Sequence, residues 1–230
     1  LTGPITGTVN DGSSLPGVDL TFINSTDKLG TNWNGFQDII GSGVASGIKS
    51  YTISLGTSPS DTNILGPKLY TLRDSATVSE LDLLGDSTYY FSVFAMDSAG
   101  NISSTATSNG ITIDIEPPRA GEVMDITAYN FILGDLSDQD WININSSLVT
   151  YWRNFSDALS GIASYEASVL DSNEIPIIEW RAPLTDSTAF IIGLSLEDAK
   201  TYKTAVKTTD VAGNITIGTS NGITVDLTPP

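Results

Sequence analysis

The chain has 230 residues, with 10 Lys+Arg against 27 Asp+Glu, a net charge of −17, and neither Cys nor His. That acidity argues against nucleic acid and anionic lipid as partners, and no apolar run is long enough to span a bilayer. Without His or Cys, Ser-His-Asp and Cys-His catalysis, most zinc sites and any disulfide framework are ruled out, so the chain reads as a non-enzyme.

Leu1-Thr-Gly-Pro4 resembles Leu227-Thr-Pro-Pro230 and reads as the linker end of a preceding repeat, which makes the chain an excerpt of a longer protein. Each unit begins with an added N-terminal stretch, Thr6–Asn24 and Gly121–Asn143, whose end overlaps the first aligned segment. There Phe22, Leu29, Thr31, Trp33, Phe36 and Asp38 match Trp141, Leu148, Thr150, Trp152, Phe155 and Asp157 at one offset. The alternation predicts the second strand of a sandwich, with Trp33 and Trp152 pointing inward. An insertion around Ile39–Ala45 in the first copy precedes Ser46-Gly-Ile48, which returns as Ser160-Gly-Ile162. Ser50-Tyr-Thr-Ile-Ser-Leu55 alternates as a strand, and the Gly56-Thr-Ser-Pro59 turn becomes Leu170-Asp-Ser-Asn173.

Further on, Leu83 precedes Tyr89 as Leu196 precedes Tyr202, and each Tyr opens a strand that ends at an Asp. From there the copies nearly coincide. Asp97-Ser-Ala-Gly-Asn101, Thr107-Ser-Asn-Gly-Ile-Thr112, Asp114 and Pro117-Pro118 return as Asp210-Val-Ala-Gly-Asn214, Thr219-Ser-Asn-Gly-Ile-Thr224, Asp226 and Pro229-Pro230. Pro4 to Pro118 is 114 residues and Asp97 to Asp210 is 113, so two units fill the chain, at 5–117 and 118–230 after the linker end at 1–4. Short strands separated by Gly, Asn, Asp and Ser, with no helical stripe of ten or more residues, predict an all-β pair of sandwiches of seven strands each.

Trp-x-x-Phe-x-Asp, Ser-Gly-Ile-x-x-Tyr, Leu-x5-Tyr, Asp-x-Ala/Ser-Gly-Asn and Asn-Gly-Ile-Thr-x-Asp-x-x-Pro-Pro occur twice in the same order. Together they resemble the fibronectin-type-III-like and bacterial Ig-like tandem repeats of large extracellular or cell-surface, adhesin-like proteins. The resemblance covers both units nearly end to end. It implies a tyrosine corner at Tyr89 and Tyr202, whose hydroxyls bond back to the preceding loop. In such a sandwich the termini lie at opposite poles, and the short Pro-Pro linker is stiff, so a rod-like stalk or fibre segment is the expected product.

Four Asp positions recur between the copies, Asp11/Asp125, Asp38/Asp157, Asp97/Asp210 and Asp114/Asp226. The topology is expected to gather Asp114, Glu116, Asp157 and Asp210 near the joint, where calcium is a candidate ligand, as in cadherin-like and some bacterial adhesin arrays. The competing and preferred reading makes these Asp residues turn caps. Asn-x-Ser/Thr sequons stand at Asn24, Asn101, Asn145, Asn154 and Asn214, with Asn101 and Asn214 in equivalent turns as the first candidates for glycosylation. Trp180 lacks a counterpart in the first unit and is either a ligand or interface contact or is partly buried against a sheet.

The leading function is a structural or adhesive repeat of an extracellular or surface protein. The alternatives are a carbohydrate- or protein-binding accessory module of a larger secreted protein, and a self-assembling filament subunit. The expected partners are neighbouring repeats, further copies, or an unknown surface protein or glycan.

Overall fold

The computed structural model describes residues 3–39, 45–71, 73–182 and 187–229. The chain divides into two compact units, Leu1–Ile115 and Glu116–Pro230. Residues 40–44 of the expected insertion, and Leu1, Thr2 and Pro230 of the terminal matches, lie outside the described residues.

Unit one contains β1 (Thr8–Asp11), β2 (Phe22–Ile23), β3 (Lys28–Asn34), β4 (Ile48–Gly56), β5 (Leu65–Tyr70), β6 (Ser75–Ser79), β7 (Thr88–Asp97), β8 (Ala106–Thr107) and β9 (Ile111–Ile113). One sheet runs β1-β3-β6, and the other runs β2-β9-β7-β4-β5 with β8 also on β7. Unit two contains β10 (Glu122–Ile126), α1 (Ala128–Leu133), β11 (Trp141–Ile142), β12 (Ser147–Arg153), β13 (Ile162–Leu170), β14 (Thr188–Ile192), β15 (Thr201–Asp210), β16 (Ile215–Thr219) and β17 (Ile223–Val225). Its sheets are β10-β12-β14 and β11-β17-β15-β13, with β16 on β15.

Each unit has its own core, because inward positions alternate along the long strands. In β7 these are Tyr89, Phe91, Val93 and Ala95, and in β15 they include Tyr202, Thr204 and Val206. Trp33 and Trp152 are both buried. Trp33 tilts against Tyr51 with ring centroids 5.4 Å apart, and Trp152 against Tyr165 at 5.5 Å. The Tyr of Ser-Gly-Ile-x-x-Tyr thus packs on the Trp of the preceding strand in both copies.

The structure departs from the expected seven strands in three ways. The last strand is broken in two, at Ser108–Gly110 in unit one and Ser220–Gly222 in unit two. Gly110 (φ 98°) and Gly222 (φ 107°) hold a backbone conformation that a β-carbon disfavours, and there the chain steps out of the ladder. Phe22 and Trp141 do not belong to the second strand either. They sit on β2 and β11, which pair in parallel with β9 and β17 in the opposite sheet. Finally, unit two contains a helix. Thr127 caps α1 by accepting from the Asn130 N–H at 3.0 Å, and Gly134 ends it in the left-handed region. Six residues are too few for a helical stripe to register in the sequence.

Candidate functional site

The recurring carboxylates sit at equivalent turns. In unit one, Asp38 Oδ2 accepts from the Gly47 N–H at 2.7 Å and the Ser46 hydroxyl at 2.9 Å. In unit two, Asp157 Oδ1 accepts from the N–H groups of Ser160 at 2.8 Å and Gly161 at 2.7 Å. The glycine carbonyl of each turn then receives the residue after the next Asp: Ser98 N–H bonds to Gly47 O and Val211 N–H to Gly161 O, both at 3.0 Å. Asp97 and Asp210 close the second turn. Asp210 Oδ1 accepts from the N–H groups of Gly213 at 2.7 Å and Asn214 at 2.8 Å. The hydrogen bond from the Asn101 side chain, reinforced by backbone N–H groups, holds the Asp97 carboxyl below the usual carboxylate range.

Asp157 and Asp210 therefore come together at one end of unit two through their paired loops. Glu116 lies in the same unit, and its carbonyl accepts from Asn214 Nδ2 at 3.4 Å. Pro118 O accepts from the Thr216 hydroxyl at 2.5 Å, and Arg119 pairs with Ser156. The Pro-Pro segment is thus fastened to the second sandwich. Asp114 closes unit one, where its N–H donates to the Ile23 carbonyl at 2.9 Å.

The sequons fall into two groups. Asn101 Nδ2 donates to Asp97 Oδ2 at 2.7 Å and Asn214 Nδ2 to Asp210 Oδ2 at 2.9 Å, so the atoms a glycan would occupy tie the turns. Asn24, Asn145 and Asn154 are exposed.

Trp180 is half-buried beside the edge of the β13-containing sheet, where Ala167 pairs with Arg181 and Leu170 with Pro176. The Lys207 ammonium stands 5.2 Å over its ring centroid and bonds Glu166 at 2.5 Å. Leu170, Glu174, Pro176, Trp180, Ile217 and Thr219 line an open depression there. Lys207 covers part of the indole, and the rest borders the depression.

At the crossing into β7, the Tyr89 hydroxyl accepts from the Leu84 N–H at 2.9 Å. At the crossing into β15, the Tyr202 hydroxyl accepts from the Glu197 N–H at 3.1 Å. Leu83 and Leu196 are buried beneath these corners. Both units have a fibronectin-type-III-like sandwich fold.

No family model matches the chain, and no curated protein does. Among solved structures, the FN1–FN3 domains of chicken CNTN1 align at 12% identity and a TM-score of 0.42, over 87% of this chain and 65% of theirs. The fibronectin(III)-like modules of Clostridium thermocellum CbhA align at 10% and 0.45, over 95% and 94% of the two chains. Domains A168–A170 from titin align at 15% and 0.46, over 96% of this chain and 64% of theirs. The chain thus spans just under two thirds of the chicken and titin structures.

Two duplicated features had only faint marks in the sequence. The Thr-Ser-Asn-Gly-Ile-Thr motif reads as an ordinary final strand, yet its Ser is the break: Ser108 Oγ accepts from Phe91 N–H and Ser220 Oγ from Thr204 N–H, both at 3.0 Å. Asp11 and Asp125 recur among the Asp positions, but nothing in their spacing announces that both are fully buried. The signal that could have found them is their place at an inward position of an alternating strand, next to Val9 and Val123.

Proposed function

We propose that the two units are structural repeats of an extracellular or surface protein, used to extend a stalk or fibre. The observation that carries this reading is which residues the two copies share. They are Trp33/Trp152, Tyr89/Tyr202, Asp97/Asp210 and Ser108/Ser220, and each holds a core, a corner, a turn or a strand break. The loops that a binding module would use differ: Thr57 N–H bonds Asn63 Oδ1 in unit one, whereas Asp171 Oδ1 gathers the N–H groups of Asn173 and Ile175 in unit two. Two copies that agree in fold-bearing residues and diverge in loops suit a scaffold more than a recognition surface.

No helix among the described residues is long and apolar enough to cross a membrane. On the extracellular reading, Asn24, Asn145 and Asn154 are the sequons open to a glycan, since the amides of Asn101 and Asn214 are engaged. Asp38, Asp97, Asp157 and Asp210 act as turn caps, with calcium as the rival use of Asp157 and Asp210.

The second reading, an accessory binding module, is favoured by one observation, the Trp180 depression that unit two carries. Glycan-array and cell-adhesion assays with the purified pair separate the two. A scaffold is expected to give no saturable binding; saturable binding that Trp180→Ala abolishes would move the assignment to the accessory module.

A further inference from the structure

The first strand of each unit carries a carboxyl into the sandwich at a matching place, and among the described residues no cation acts on it. Asp11, at the end of β1, and Asp125, in β10, are both 0% exposed. Each lies across from a threonine in register, Thr31 and Thr150. Asp11 Oδ2 accepts from the Gly110 N–H at 2.8 Å, in the break of the last strand. Asp125 Oδ1 accepts from the Thr204 N–H at 3.2 Å and the Thr204 hydroxyl at 2.7 Å, and Thr204 N–H is also held by Ser220 of the equivalent break. The remaining oxygens, Asp11 Oδ1 and Asp125 Oδ2, are buried and have no hydrogen-bond partner among the described residues.

A second carboxylate stands behind each one. Asp19 Oδ1 accepts from the Asp11 N–H at 2.9 Å, and Asp138 Oδ1 from the Asp125 N–H at 2.7 Å. The segments that supply them are unlike, a turn-rich loop in unit one and one containing α1 in unit two. The same pairing of a buried Asp with a flanking Asp therefore recurs on different backbones.

We propose that Asp11 and Asp125 form a duplicated acid-operated lock: protonated, each seals the first strand of its unit to the region where the last strand breaks; ionised, it loosens that seam. A buried carboxylate with one unsolvated oxygen and a carboxylate neighbour is costly, whereas the neutral acid costs less and gains an O–H donor. Thr150 Oγ1, also buried and without a partner among the described residues, sits in register opposite Asp125. The Thr31 hydroxyl donates to the Asn10 carbonyl, which leaves its lone pairs to accept.

Groups on several elements face these carboxyls. Asp19 and Asp138 are the titratable ones acting on them electrostatically; β3 and β12 contribute Thr31 and Thr150, β7 and β15 contribute Phe91 and Thr204, and the breaks contribute Ser108, Gly110 and Ser220. Tyr90 and Lys203 pack beside Gly110 and Gly222. Burial is the main cause that raises Asp11 and Asp125 from 3.8 to about 6, against the lowering effect of the Ser108 and Gly110 bonds in unit one and the Ser220 and Thr204 bonds in unit two. A folded-state value above the unfolded one gives stability that is complete below 3.8 and is lost as pH rises through about 6.

Denaturant titration of the purified pair between pH 4.5 and 7.5 tests the lock. The folding constant of each wild-type unit is expected to fall at least about tenfold over that range. The Asp11→Asn/Asp125→Asn protein is expected to be more stable than wild type at pH 7.5 and nearly flat across the range. An unchanged pH slope in that variant overturns the proposal. Carboxyl NMR titration of the wild type gives a check that does not depend on how well Asn fits: midpoints near 6 support the lock and midpoints at or below about 4 overturn it. Amide exchange at Gly110 and Thr204, corrected for intrinsic rates, is expected to speed at least about tenfold from pH 4.5 to 7.5. Equal protection at both pH values refutes the loosening.

Discussion

A single hydroxyl in each unit shows how local and tertiary structure meet. Tyr202 spends its ring on the core and its oxygen on the Glu197 N–H, so the loop into β15 has a partner that neither sheet provides. Tyr202→Phe keeps the packing and removes the acceptor. It leaves a loop N–H unsatisfied, and the unit is expected to lose about 1–3 kcal/mol in denaturant unfolding. Tyr89→Phe should cost unit one a similar amount, since Leu84 N–H is held the same way. A loss below about 0.5 kcal/mol in both variants means that water serves the loop as well as tyrosine does.

At the scale of the element, the turns gather the recurring Asp residues into a small number of backbone ties. Asp157 caps the turn into β13 and Asp210 the turn out of β15, and the two turns bond each other through Gly161 and Val211. Calcium requires six to eight oxygens, and these carboxylates already accept several N–H groups. Titrating calcium to millimolar is therefore expected to leave the melting temperature of the pair unchanged. A rise that is lost in Asp157→Asn would make the cap a metal ligand instead. Much of this layer was legible beforehand: Trp33, Tyr89 and Asp97 lie where alternation and the repeat put them, because burial and turn geometry act over a few neighbouring residues. The broken last strand, the parallel β2 and β11 pieces and α1 were not. Each depends on a partner distant in sequence or on a segment too short to carry a period.

For the whole molecule, the sequence puts the boundary at the Pro-Pro pair, with 118–230 as the second repeat, whereas compactness puts it between Ile115 and Glu116. The difference has physical content. Pro has no N–H and cannot extend a ladder by donating, so Glu116-Pro-Pro118 reads as a spacer. Its carbonyls still accept, and unit two uses them: Glu116 O takes Asn214 Nδ2 and Pro118 O takes the Thr216 hydroxyl. The segment works as a strap laid on the start of β16. A fragment of residues 116–230 is therefore expected to unfold cooperatively and to be more stable than one of 119–230 by about 1–3 kcal/mol, the worth of two hydrogen bonds. Thr216→Val removes one donor and should cost the longer fragment about half of that difference while leaving the shorter one nearly unchanged. Equal stability of the two fragments would return Glu116–Pro118 to the status of a free linker.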